Sequence, residues 1–173
     1  MRNENTHDEL PAMTWDRFWE LVGTLGGPAV LERCDHLQEA CERLSARLAR
    51  GPADEITGFG ERLAEALYRL DRAESGRLPV EGAGGPYDRQ TDDHFLYARA
   101  AVVAAGREAY EGVLGRPERF APYTALQAEE LLYVHEEAYE AVTGEEWDHP
   151  TRYDYESCSN AEGWPGPEHP AEA

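Results

Sequence analysis

Apolar side chains recur along most of this chain at steps of three and four, the rhythm that places them on one face of an α-helix. Thr14 is a candidate cap for a first helix, on which Trp15, Phe18, Trp19 and Val22 fall at i, i+3, i+4 and i+7. Three large aromatics then share one face and anchor a core; the sharper alternative is an aromatic platform for a ligand. Gly26 and Gly27 break this helix, and Pro28 suits the first turn of the next. Val30, Cys34, Leu37, Cys41, Leu44 and Leu48 follow at alternating steps of four and three, a heptad-like seam too short for an intermolecular coiled coil and better matched to a partner within the fold. Gly51 and Pro52 end it. A third helix presents Ile56, Phe59, Leu63, Leu67 and Leu70.

From Ser75 to Gln90 the periodicity lapses into the longest internal loop, and loops of that length are usually functional or disordered. Thr91 reads as the next cap. Asp92 and Asp93 stand in the first turn, where the helix dipole favours carboxylates, and Phe95, Val102 and Val103 carry the helix to a break at Gly106. A further helix from Arg107 to Leu114 contains Tyr110 and Val113. After a connector with Pro117 and Pro122, Thr124 and Gln127 have capping-box spacing, and Leu131, His135, Ala138 and Val142 stripe a last helix closed by Gly144. No run of alternating residues is long enough for a sheet. The expected fold is all-α: a compact single-domain bundle of about five to six helices over 14–144. A polar N-terminal tail over 1–13 is expected to be disordered, with Met13 an alternative start. An acidic tail over 145–173 is expected to fold back in part, up to Trp164.

Composition sharpens this outline. The 35 acidic residues outnumber the 16 basic ones, for a net charge of −19. Every basic residue is arginine, which excludes Schiff-base catalysis, a phosphate-loop lysine and a lysine general base. No short window is basic, so nucleic acid and anionic membrane surfaces are not expected as partners. A protein partner of basic character, or a cationic small molecule, suits the charge, as does a plainly solvated surface. The longest purely apolar run, Ala100 to Ala105, is far short of a membrane span, and no secretory signal opens the chain. Three cysteines, with Cys34 and Cys41 seven apart on one helix, read as reduced thiols of a cytoplasmic protein.

Candidate chemistry centres on Thr91 to Phe95. Asp92, Phe95, Arg99, Val102 and Gly106 share one helical stripe, which sets Arg99 among apolar residues, where it needs a carboxylate such as Asp92. The plain reading is a structural ion pair beneath dipole-stabilising aspartates. Two functional readings stand beside it. Arg99 and Arg107 could hold an anion, or Asp92, Asp93 and His94 a divalent cation with help from Glu129, His135 or Glu136. The candidate ligand-binding residues are therefore Asp92, Asp93, His94, Arg99, Arg107 and Tyr110. No metal site or cofactor is assigned. His135 reads as a core histidine and His36 as exposed; His7, His149 and His169 lie in tails. Ser157-Cys158-Ser159-Asn160 lacks the glycine-flanked elbow of a nucleophile and reads as a turn that fastens the tail.

Three stretches resemble a bacterial family, domain of unknown function 4240, common in actinobacteria. They are Phe18-Trp19-Glu20-Leu21-Val22, Asp92 to Arg99 continuing through Gly106 to Glu111 and Pro117, and Glu137-Ala138-Tyr139-Glu140 with Thr143-Gly144. The resemblance spans roughly 14–144. It departs from the family pattern before Asp92, where Leu67-Tyr68-Arg69-Leu70 and the long loop replace a tryptophan-rich helix leading closely into the two aspartates. It implies a helical fold and a bacterial cytoplasmic setting, and no activity. The first functional expectation is a non-catalytic interaction or regulatory domain binding a protein through its acidic surface. The alternatives are a ligand-binding protein or enzyme built around Asp92 and Arg99, and an immunity- or antitoxin-like inhibitor of a basic protein.

Overall fold

The computed structural model describes residues 13–85 and 88–166. The expectations for 1–12 and 167–173 lie outside these residues. The described residues form seven α-helices: α1 (Trp15–Gly23), α2 (Cys34–Leu48), α3 (Ala53–Leu70), α4 (Ala73–Gly76), α5 (Asp92–Ala104), α6 (Arg107–Gly115) and α7 (Glu130–Thr143). Two 3₁₀ segments, Gly27–Glu32 and Pro117–Ala125, join them. The protein is all-α, with more helices than the five to six the periodicity predicts. The additions are one-turn α4 and the proline-bearing 3₁₀ segments, too short to show a period of their own.

The centre of the bundle is α5, which touches α1, α3, α6, α7 and both 3₁₀ segments. Every residue from Phe95 to Ala105 except Tyr97 is buried, so its alanines (Ala98, Ala100, Ala101, Ala104) let neighbours approach from all sides. Thr14 and Thr91 cap α1 and α5 as their positions predict, each hydroxyl accepting a backbone N–H 3.2 Å away, from Arg17 and His94 respectively. The α2 seam finds its partner inside the fold, in α7. It begins later than its spacing suggests. Val30 belongs to the 3₁₀ segment and Cys34 is exposed, so the buried stripe is Leu37, Ala40, Cys41, Leu44 and Leu48.

Two local readings fail. Thr124 and Gln127 do not cap α7, which starts at Glu130 with no side-chain cap. Thr124 ends a 3₁₀ segment, fully buried, and accepts the Glu81 backbone N–H at 2.9 Å. A tertiary donor thus outcompetes the local box. Val142 is 43% exposed, because α7 has passed the edge of the core by its last turn. Gly144 does close α7, at φ 72°, a left-handed conformation that costs glycine least.

Met13 is buried, in contrast to the free N-terminal tail expected through that residue, and its carbonyl accepts from Arg62 Nε. Beyond α7 the chain continues as a strap, residues 145–166, laid across the bundle. Trp147 packs edge-on against His135 and Tyr139, with ring centroids 4.7 and 5.3 Å away, and Trp164 meets Phe95 at 6.1 Å. The seat for Trp147 explains a glycine in mid-helix. A Cβ on Gly60 would lie 2.9 Å from His135 Cδ2 and 3.2 Å from the indole. Gly60→Ala gains about 1 kcal/mol of helix propensity, yet we expect a net loss of roughly 1–2 kcal/mol from overpacking, read as a lower Tm. A rise in Tm would refute this account of the seat.

Candidate functional site

The six residues singled out in the sequence are not gathered into one site. Asp92 and Asp93 are exposed in the first turn of α5. The His94 ring bridges to the second 3₁₀ segment and the turn after it, with Nε2 2.5 Å from the Thr124 carbonyl and Nδ1 3.3 Å from Gln127 Nε2. Both ring nitrogens are thereby engaged. Among the described residues no group of three or more His, Cys, Asp or Glu side chains is placed to hold a metal ion. Arg107, at the start of α6, pairs with Glu111 at 2.7 Å and Asp16 at 2.9 Å in solvent. Tyr110 is buried against Trp19, 4.9 Å between centroids, and among the described residues its hydroxyl has no partner. Burial holds that phenol well above its usual range, so it stays protonated.

Arg99 is the largest fully buried side chain among the described residues. It does not pair with the Asp92 carboxylate. Nη1 donates to the Leu67 carbonyl at 2.9 Å, and Nη2 donates to the Tyr155 carbonyl at 2.9 Å and Ser157 Oγ at 3.0 Å. Ser157 Oγ in turn donates to the Asp92 carbonyl, so the aspartate contributes its backbone and leaves its carboxylate in water. The guanidinium also lies over the Phe95 ring, 4.7 Å from the centroid. Burial pulls its pKa down to about 10, against the field of Asp71 and nearby acidic groups, and it remains charged at neutral pH.

Asp71 is the counterpart that the spacing did not reveal. It is fully buried just past the end of α3, and it accepts from the Cys158 and Asn160 backbone N–H groups, each at 3.0 Å, and from Trp164 Nε1 at 2.8 Å. Cys158 turns at φ 69° to present these donors. The cluster from Ser157 to Asn160 is thus the fastening turn its residues suggest. Burial and Asp71 push the Cys158 thiol up to about 11, which keeps it protonated and a poor nucleophile. Arg99 and Asp71 together rivet the strap to α3 and α5.

An open surface lies elsewhere, beside α6. A groove of about 810 Å³ runs between α6 and the second 3₁₀ segment. Ala105, Ala109 and Val113 form one apolar wall, and Leu31, Tyr123 and Leu126 line it from other elements. Glu81, Glu108 and Glu118 stand exposed around it, with Arg119 the one basic residue in the lining among the described residues. Sequence reasoning missed it because its walls come from segments about 100 residues apart in the chain. The only local hint is that Pro117 and Pro122 prevent a regular helix from closing over α6.

A family model described as a protein of unknown function, DUF4240, matches residues 13–141. The chain belongs to this family. Comparison with curated proteins and with solved structures gave no match. The DUF4240 match takes in α1 to most of α7, with Asp71 and Arg99 among its residues and the walls of the groove as well. The strap groups that satisfy Asp71 and Arg99, from Tyr155 to Trp164, lie beyond it. Among the described residues no helix is long and apolar enough to cross a membrane.

Proposed function

We propose that this DUF4240 protein is a non-catalytic interaction domain that takes a segment of a partner protein into the groove beside α6. The partner segment offers an apolar side chain flanked by arginine or lysine. The observation that carries this reading is the groove itself. Its volume falls in the range of ligand-binding clefts, its walls are apolar, and three carboxylates ring it. A net charge of −19 adds long-range attraction for a basic partner and speeds encounter. The three unpaired cysteines agree with a reducing compartment, and we assign the protein to the bacterial cytoplasm on that ground and place it among actinobacterial members of the family.

Selection of binders from a random peptide library against the full chain tests the proposal. Bound peptides are expected to share an apolar residue with basic neighbours and to weaken as salt rises. Ala109→Arg, which fills the groove from α6, should weaken them by roughly tenfold or more. Binders without basic residues, or binders indifferent to Ala109→Arg, would sink it.

A further inference from the structure

A second cavity, of about 360 Å³, opens between α7 and the strap on a different part of the surface. Among the described residues its lining carries three carboxylates, Glu136 from α7 and Asp154 and Glu156 from the strap, and no arginine, although buried Arg99 feels the charge of Asp154 and Glu156. The aromatic rings of Trp147 and Tyr155 complete the wall. His149 also lines it, but its imidazole is taken by Glu61, 3.0 Å away. Glu136 is half-buried, and among the described residues its carboxylate has no hydrogen bond or ion pair. Burial and the neighbouring Glu137 raise its pKa from the ordinary carboxylate value.

The most buried residue in the lining is His135, 2% exposed, and among the described residues its Nδ1 has no hydrogen-bond partner. Burial pulls the imidazole down to about 4, so it is neutral at physiological pH and adds no positive charge to the cavity. In the tautomer that carries its proton on Nε2, Nδ1 is an acceptor, and buried polar atoms are rarely left without a partner.

We propose that this cavity binds a small organic cation bearing N–H groups, an alkylammonium or guanidinium, whose charge sits among Glu136, Asp154 and Glu156 and whose N–H reaches toward His135. The aromatic wall covers the alkyl part. An N–H donor, rather than a quaternary ammonium, is what an acceptor nitrogen on this lining histidine would take up. This site is separate from the groove beside α6, and neither proposal depends on the other.

The test uses the full ¹⁵N-labelled chain titrated with n-butylammonium, following the indole N–H signal of Trp147. Trp15, Trp19 and Trp164 serve as internal reporters of folding. The Trp147 signal should move saturably while the other three stay in place. n-Butyltrimethylammonium, of equal charge and alkyl chain but with no hydrogen-bond donor, should bind roughly tenfold more weakly or worse, and Glu136→Gln should weaken butylammonium by a similar factor with the other indoles unchanged. No saturable movement, equal binding of the quaternary ion, or indifference to Glu136→Gln would each overturn the assignment.

Discussion

Replacing Arg99 by methionine should lower the unfolding free energy by about 3–5 kcal/mol, although methionine fills similar space. The substitution leaves the Leu67 and Tyr155 carbonyls and Ser157 Oγ without their donor. A fully buried acceptor stripped of its partner, as at Leu67, costs roughly 1–3 kcal/mol, and the half-buried acceptors on Tyr155 and Ser157 cost less. It also removes a buried positive charge whose field offsets Asp71, itself fully buried. Arg99→Lys should recover only part of the loss, because an ammonium lacks the planar fork that reaches acceptors on two elements at once. Urea unfolding followed by circular dichroism measures both variants. A loss below roughly 1 kcal/mol for Arg99→Met would mean that the rivet is decorative.

Ending the chain after Gly144 should be costlier still. The truncated protein keeps every residue of the family match, which stops at 141. It nevertheless loses the Tyr155 and Ser157 acceptors of Arg99 and the three close donors to Asp71, from Cys158, Asn160 and Trp164. It loses Trp147 and Trp164 from their seats on α3, α4, α5 and α7 as well. Burying an aromatic of this size contributes roughly 1.5–3 kcal/mol, and two buried ions left to bare solvent or to apolar walls add several more. The sum approaches the whole stability of an ordinary domain, about 5–15 kcal/mol. We expect helical circular dichroism with no sharp thermal transition, and an amide spectrum of poor dispersion. A cooperative melt within a few degrees of the full chain would show that the matched residues fold unaided, and the strap would then be an accessory.

These two expectations mark where sequence reasoning reached and where it stopped. Thr14, Thr91 and Gly144 were readable as helix ends because each acts on backbone groups within about four residues. The buried faces of α1 and α3 were readable for the same reason, since Phe18, Trp19, Ile56, Phe59, Leu63 and Leu67 need only the helix's own period to line up. Thr124 shows the limit. Its spacing to Gln127 satisfies a local rule, and a backbone N–H from Glu81, 43 residues earlier, takes its hydroxyl instead.

The candidate site divides along the same line. That Arg99 lies inward was determined by its place on the stripe of Phe95 and Val102. Its partners, 32, 56 and 58 residues away, were not. Asp71 gave no local sign of its role, because a single acid after a helix looks the same whether it meets water or three converging donors. The chain's own alphabet determined an all-α body, its caps, its acidic surface and the inward direction of one arginine, all consequences of short-range geometry and composition. Only packing decided that the strap closes over that arginine, that a groove stays open beside α6, and that Asp92 keeps its carboxylate in solvent. Hydrogen bonds between distant segments depend on where whole helices come to rest, and that is a property of the summed burial of the core rather than of any one stretch of residues.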